Sequence, residues 1–242
     1  MCKIRVVTTM NEVLSKEWLL LIYYTMASMG LITGKCFLEK EIEIVSRDEW
    51  GARPPTLVEN MTNPVPFVVI HHSYIPAACF TKEDCIVAMQ WMQDFHQFNR
   101  SWNDVGYSFA AGSDNRIYAG RGWSAVGAHA PGFNNQSIGI CIIGDWTEKL
   151  PPEEQLQIVR QFIRLGVIKG YIKEDYKLIG HRQARDTDCP GDALFAEIQT
   201  WPHFDPSINI TGKRASTIRK EGLAPVKTVG GETDKPTGNS LK

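Results

Sequence analysis

This 242-residue sequence has neither an excess of one charge nor a large number of cysteines. The 26 Lys and Arg residues nearly balance the 27 Asp and Glu residues, for a formal net charge of −1. This balance lacks the basic footprint of a nucleic-acid-binding protein, so we expect no nucleic-acid partner. Six cysteines are few for a disulfide framework in a chain of this length. A hydrophobic fraction of 43% is enough for an ordinary globular core.

Several catalytic motifs are also absent. The sequence contains no HExxH, no paired CxxC and no GxSxG, which excludes the metalloproteases and serine hydrolases that these motifs define. Gly120-Arg121-Gly122 lacks the later glycine of a dinucleotide-binding loop.

The N-terminal apolar run is short for a membrane span. It covers residues 18–32, against the ~20 residues that a spanning helix needs. Basic residues precede it and small residues follow it, as in a secretory signal peptide. We predict a signal peptide over residues 1–35, a mature start near Lys35 and secretion. A signal anchor is one alternative, and it alone would give stable membrane association. An internal start at Met26 or Met29 is another, and it would leave a cytoplasmic form.

The interior of the sequence predicts one α/β domain over residues 44–205, with a mixed central β-sheet covered by helices, because strand and helix patterns alternate. Residues 206–242 are poor in large apolar side chains and predict a disordered tail. Thr81 and Asp84 have the spacing of a capping box and mark one helix start. The predicted strands cover residues 67–70, 106–111, 116–119, 138–143 and 178–179, and the predicted helices cover residues 81–98, 151–169 and 190–201.

Three side chains could form a metal site. His71 follows a predicted buried strand, and His181 and Cys189 share a loop between a predicted strand and a predicted helix. Zinc binds neutral imidazole and thiolate together, and catalytic zinc sites keep three protein ligands and one open position. The alternative interpretation is that Cys189 is a small buried apolar residue.

The sequence resembles the peptidoglycan recognition proteins, which share a fold with small phage amidases. The resemblance covers residues 44–204, from the Trp50-Gly51-Ala52-Arg53 entry to the Trp201-Pro202-His203-Phe204 exit. It also includes Val69-Ile70-His71-His72-Ser73, Asn103-Asp104-Val105-Gly106-Tyr107 and Ser137-Ile138-Gly139-Ile140. The stretch from Gly180 to Pro190 is most similar to the insect LB-type members, which are catalytic.

The resemblance implies a zinc-dependent N-acetylmuramoyl-L-alanine amidase with His71, His181 and Cys189 as the Zn²⁺ ligands. Members that only bind usually have Ser in place of this Cys, so a cysteine at 189 implies an enzyme. Tyr107 and Thr187 match the family's other catalytic positions, although Thr187 stands where phage enzymes carry Lys. The alternative is a non-catalytic immune receptor for peptidoglycan.

The resemblance also implies how the substrate is recognised. The expected partners are bacterial peptidoglycan and muropeptides, and the expected consequence is modulation of innate immune signalling. Relatives that prefer diaminopimelate-type stems carry an Arg and a Gly-Trp pair. Here Arg121 and Trp102 match, and Ser101 replaces the Gly. The alternative for Arg121 is a solvated surface charge.

The remaining family-based expectations concern two histidines and two cysteines. His72 and His129 are expected to contact the substrate. The family has a disulfide at the positions of Cys79 and Cys85, and the alternative is two free thiols in a cytosolic form.

Overall fold

The structure is a computed structural model and describes residues 42–209. The predicted signal peptide and most of the predicted tail lie outside the described residues. In the described range the chain forms one six-stranded mixed sheet in the order β1-β4-β3-β5-β2-β6. The strands are β1 Ile44–Val45, β2 Val65–His72, β3 Phe109–Ala111, β4 Ile117–Ala119, β5 Ser137–Ile142 and β6 Ile172–Gly180. The helices are α1 Lys82–Asp94, α2 Glu153–Ile168, α3 His181–Ala184 and α4 Asp192–Ile198, and a π-helical turn, Phe95–Asn99, follows α1.

The cap signals in the sequence explain where the two longer helices begin and end. The Thr81 hydroxyl accepts a hydrogen bond from the Asp84 N–H at 3.1 Å, which is one half of the predicted capping box. The Asp84 carboxylate accepts from the Thr81 hydroxyl at 2.8 Å, not from the backbone N–H that the other half of the box requires. Helix α1 is shorter than predicted, because the helical path changes to the π-helical turn at Phe95. Helix α2 begins after Pro152 and ends before Gly170, whose φ of 74° suits a glycine after a helix end.

The region around β6 differs most from the predicted elements. The prediction covered only Leu178 and Ile179, but β6 begins at Ile172. Its register against β2 shifts between the pairs Val65–Ile172 and Phe67–Lys177, so the intervening part of β6 bulges away from the sheet. These residues are largely exposed and charged, and they therefore lack the apolar signature of a buried strand.

The last helical segment is also shorter than predicted. Helix α4 covers residues 192–198 within the predicted 190–201. A single helical turn, α3, directly follows β6 and was not predicted, because four residues carry too little periodicity to identify a helix.

The topology brings three strand ends together. Strands β2, β5 and β6 run parallel, so their carboxyl ends lie at one edge of the sheet. Ligands bind outside this edge in open α/β sheets. Across residues 42–209, no helix combines the length and the apolar character needed to cross a membrane.

The cysteines in the described range have two different environments. Cys79 and Cys85 form a disulfide with Cα atoms 5.1 Å apart, beside the start of α1. The expected pairing is therefore present, and two free thiols are not. Cys141 is a free thiol and is fully buried in β5.

Candidate metal centre and substrate cleft

Strand register places the two candidate histidine ligands side by side. Ile70 of β2 pairs with Gly180 of β6, so the next residues, His71 and His181, are neighbours at the carboxyl edge of the sheet. Their ring centroids lie 4.4 Å apart. No loop separates His181 from its strand, because α3 begins at that residue.

A loop brings Cys189 to the same point. The Arg182 N–H donates to the Cys189 carbonyl at 2.9 Å, which folds the loop back onto α3. The Cys189 Sγ accepts a hydrogen bond from the His72 N–H at 3.4 Å and lies 3.8 Å from His71 Nδ1. The three candidate ligand atoms of His71, His181 and Cys189 lie within 4.8 Å of one another.

The chemical state of this cluster fits a zinc ion. Burial lowers the pKa of His181 to about 4 and that of His71 well below its ordinary value, so both rings are neutral and can act as ligands. Burial raises the pKa of Cys189 to about 12, so the thiol keeps its proton until a cation replaces it. Among residues 42–209, nothing hydrogen-bonds the buried Nε2 of His181. An unsatisfied buried nitrogen beside a thiol is a donor set that suits zinc.

The two predicted catalytic side chains differ in how closely they approach the cluster. The Tyr107 ring lies 5.2 Å from the His71 ring, and desolvation raises the pKa of its hydroxyl well above the ordinary value. The Thr187 hydroxyl accepts a hydrogen bond from the Cys189 N–H at 3.3 Å. Thr187 therefore shapes the ligand loop, while its own proton remains to be donated.

The structure places His72 and His129 in buried positions. Their exposed fractions are 7% and 5%. His72 Nδ1 accepts a hydrogen bond from the Trp146 N–H at 3.3 Å, and His129 Nδ1 lies 3.0 Å from His71 Nε2. The His129 ring thus contacts a candidate ligand and the His72 ring holds the backbone at Trp146, and contact of either ring with substrate stays a prediction.

Arg121 is anchored by backbone, which excludes the interpretation of a solvated surface charge. Its Nε donates to the Val105 carbonyl and its Nη1 to the Val126 carbonyl, both at 2.8 Å, and its Nη2 lies 3.5 Å from the Asp104 carbonyl. A guanidinium has five N–H groups, so these three contacts leave two for a ligand.

Trp102 has one face supported and an exposed fraction of 37%. Its ring stacks on His96 with centroids 4.7 Å apart, and it borders a cavity of about 380 Å³ that Arg53 and Phe98 also line. Ser101, which replaces the family's Gly, has a φ of 55°. Serine thus keeps the left-handed backbone that a glycine adopts easily.

The structure brings together most of the predicted residues and adds two, His96 and Ser137, that were not among the predicted site residues. His96 supports Trp102, and its Nδ1 accepts a hydrogen bond from the Gly106 N–H at 3.1 Å. Ser137 lies 3.5 Å from His129 through its hydroxyl. A helical histidine and a strand serine have many structural roles, so neither carries a signal of its own in one sequence.

Comparison with known proteins gives the same assignment. Residues 61–192 match the family model described as N-acetylmuramoyl-L-alanine amidase. Peptidoglycan-recognition protein LB of Drosophila melanogaster is 55% identical over 190 residues, which cover 76% of this chain and 82% of that protein. The human N-acetylmuramoyl-L-alanine amidase is 41% identical over 189 residues, but the chain spans only 32% of its length.

A solved structure also matches. It is peptidoglycan recognition protein-LE in complex with tracheal cytotoxin, described as monomeric diaminopimelic acid-type peptidoglycan. The TM-score is 0.66 at 40% identity, over 69% of this chain and 96% of the other. Together with the family match and the 55% identity to the LB protein, this shows that the chain belongs to the peptidoglycan recognition protein family and contains its N-acetylmuramoyl-L-alanine amidase domain.

Proposed function

We propose that the protein is a zinc-dependent N-acetylmuramoyl-L-alanine amidase. It hydrolyses the amide bond between the lactyl group of muramic acid and the stem peptide of peptidoglycan. The observation that carries this proposal is the convergence of the His71, His181 and Cys189 ligand atoms within 4.8 Å. A receptor that only binds needs no third ligand, so Cys189 favours the enzyme over a non-catalytic receptor.

Each side chain of the cluster, and each of its two neighbours Tyr107 and Thr187, has its own role in the proposed reaction. His71, His181 and Cys189 would hold the Zn²⁺, which would supply a Lewis acid able to polarise a carbonyl and lower the pKa of water. Tyr107 stays protonated at every working pH because its pKa is raised, so it can donate a hydrogen bond to an oxygen that gains negative charge. Thr187 holds the Cys189 loop and offers a second, neutral donor.

Arg121 and Trp102 favour diaminopimelate-type stems as substrate. Diaminopimelate differs from lysine by one carboxylate at the end of its side chain. The two remaining N–H groups of Arg121 can bind that carboxylate through charge-assisted hydrogen bonds. The stacked and partly exposed ring of Trp102 offers a flat wall for the aliphatic part of the same side chain.

Secretion is part of the proposal, and the Cys79–Cys85 disulfide supports it, because disulfides persist in oxidising compartments. Outside the cell, cleavage of stem peptides would change the supply of intact muropeptides, which is how the enzyme would modulate innate immune signalling. The intact mass of protein recovered from culture medium tests secretion, and we expect a chain that starts near Lys35.

Metal analysis combined with digestion tests the enzyme assignment. We expect the purified full chain to bind one zinc and to release free stem peptides from diaminopimelate-type peptidoglycan, as read by mass spectrometry. A chelator should stop hydrolysis, and added zinc should restore it.

The variant Cys189→Ser tests the ligand set directly, because it removes one candidate ligand with little change in side-chain size. It should still fold and bind muropeptide, but its zinc affinity should fall by more than the ~10–100-fold that loss of a supporting residue costs, and hydrolysis should disappear. A wild-type chain without zinc, together with unchanged hydrolysis by Cys189→Ser, would rule out the mechanism.

A further inference from the structure

A chain of hydrogen bonds runs from His71 into the core on the side away from Cys189. His71 Nε2 lies 3.0 Å from His129 Nδ1. His129 Nε2 lies 3.5 Å from the Ser137 hydroxyl, which donates to the Phe133 carbonyl at 2.7 Å. His71, His129 and Ser137 are all buried, with exposed fractions of 0%, 5% and 0%, so water does not compete for these groups.

The position of each proton along this row of hydrogen bonds follows from the last bond, which joins the Ser137 hydroxyl to the Phe133 carbonyl. The Ser137 hydroxyl has one proton and gives it to the Phe133 carbonyl, so Ser137 can only accept from His129. His129 must then carry its proton on Nε2 and present a lone pair at Nδ1. His71 in turn carries its proton on Nε2 and presents a lone pair at Nδ1, the nitrogen that faces the Cys189 Sγ at 3.8 Å.

Two glycines leave just enough room for the His129 ring. A Cβ atom added at Gly139 would lie 2.5 Å from the ring, and one added at Gly127 would lie 2.4 Å from it. Real Cβ atoms do not approach other atoms so closely, so any larger residue at either position would displace the ring. Gly139 lies in β5 directly opposite Val69 of β2, two residues before His71.

The backbone of His129 is fixed as well. The Asn134 side-chain carbonyl accepts hydrogen bonds from the N–H groups of His129 and Ala130, both at 2.8 Å. Ring and backbone are thus held independently, the ring by the two glycines and Ser137, and the backbone by Asn134.

We infer that His129 is a positioning residue for the metal centre. Because its own ring is hydrogen-bonded to Ser137, His129 fixes the tautomer and orientation of His71, so that Nδ1 is always the nitrogen that faces the cation. This inference rests on the proposed function, because it assumes that His71 is a zinc ligand. Partners of this kind commonly orient metal-binding histidines, and their loss typically costs ~10–100-fold in metal affinity or activity.

Zinc affinity of the full chain, measured by competition with a chelator, tests the inference. His129→Phe keeps a ring of similar size and removes the acceptor, and we expect zinc affinity to fall ~10–100-fold. His129→Asn keeps an acceptor oxygen near the position of Nδ1, and we expect it to recover most of that loss. Phe133→Leu is the matched control, because it trims the neighbouring core without removing any link, and its zinc affinity should match the wild type.

A second measurement needs no zinc. Nitrogen-15 spectra of the metal-free chain should show one tautomer of His71, protonated at Nε2, in the wild type and in Phe133→Leu. His129→Phe should show a mixture of both tautomers. A folded His129→Phe variant with wild-type zinc affinity and a single His71 tautomer would overturn the inference.

Ser137→Ala replaces His129→Phe in the test if the latter does not fold. It removes the acceptor of the His129 Nε2 proton, and we expect mixed tautomers of His129 with a smaller loss of zinc affinity. Unchanged tautomers would again overturn the inference. A wild-type chain that binds no zinc but keeps the single His71 tautomer would refute the proposed function and leave the hydrogen-bond chain standing.

Discussion

The metal cluster and the predicted stem-binding pair are built in opposite ways. At the cluster, His181 Nε2 is buried without a partner in the described range and burial raises the pKa of the Cys189 thiol to about 12, so the cluster holds neutral groups that a cation could bind. At the stem-binding pair, Arg121 already contacts three backbone carbonyls and Trp102 already stacks on His96. Under the proposed function, the first region would gain stability from its metal, whereas the second is ordered before any ligand binds and would lose little entropy on binding.

Among variants that keep the candidate metal ligands, the one that removes the Tyr107 hydroxyl should have the largest effect. Tyr107→Phe removes one donor to developing negative charge and should lower kcat by ~10²–10³-fold, while zinc content and thermal stability stay the same. Steady-state kinetics on a defined muropeptide, with zinc measured on the same sample, give the answer. An unchanged kcat would exclude Tyr107 from the catalytic residues.

The buried His96, which supports Trp102, should make the free energy of unfolding depend on pH in the acidic range. Burial lowers the pKa of His96 to about 4, whereas an unfolded histidine titrates near ~6.5. Below pH ~6.5 the unfolded chain binds a proton that the folded chain does not, so the free energy of unfolding falls until the pH reaches about 4. The loss should amount to roughly 3 kcal/mol.

A variant isolates this contribution from those of the other buried histidines. His96→Asn keeps an acceptor for the Gly106 N–H but cannot titrate. Urea denaturation of both proteins at neutral and acidic pH should show a smaller loss of stability in the variant. Equal losses of stability in the two proteins would mean that His96 takes up its proton as readily in the folded state as in the unfolded state.

Arg121 tests whether the ordered region reads the substrate. Arg121→Ala should weaken cleavage of diaminopimelate-type substrate more than cleavage of lysine-type substrate, by ~1.5–3 kcal/mol in the ratio of kcat/KM values. Because Arg121 also holds three carbonyls, both activities should fall, and the ratio removes that shared loss. Amidation of the substrate carboxylate should narrow the gap. Equal losses on both substrates would withdraw the diaminopimelate assignment.

Ser101 should show the smallest effect. Its φ of 55° is unfavourable for a residue with a side chain, so Ser101→Gly should relieve strain. The added freedom of the unfolded chain offsets part of the gain, and the free energy of unfolding should rise by no more than ~1 kcal/mol. Hydrolysis should not change, because the path of the backbone stays the same. A loss of stability would mean that the Ser101 side chain makes a favourable contact.

The three clustered candidate ligands could be predicted from the sequence because they lie in local motifs that the resemblance identifies. His71 lies in one such motif and His181 and Cys189 share a second, and the fold brings the two motifs together. The environment of His129 could not be predicted, because its partners Ser137 and His71 come from different strands and meet only in the folded sheet.

The missed parts of the fold have a different physical cause. Most of β6 escaped prediction because it bulges from the sheet and exposes charged side chains, so period-2 alternation is absent. The π-helical turn was predicted as part of the preceding α-helix, because its residues continue the apolar spacing of α1. In β6, pairing with β2 overrides the local pattern.

The bulge in β6 also affects how the protein behaves beside other copies of itself. Strand β6 is one outer strand of the sheet and carries the exposed charges of Lys173, Glu174 and Asp175, while β1 at the other outer position has only two residues. Near its end, β6 is covered by the chain after α4, where the Leu178 N–H donates to the His203 carbonyl at 2.8 Å. Charged, bulged and short outer strands make poor templates for pairing with another chain. The sheet is thereby protected against edge-to-edge aggregation at high concentration.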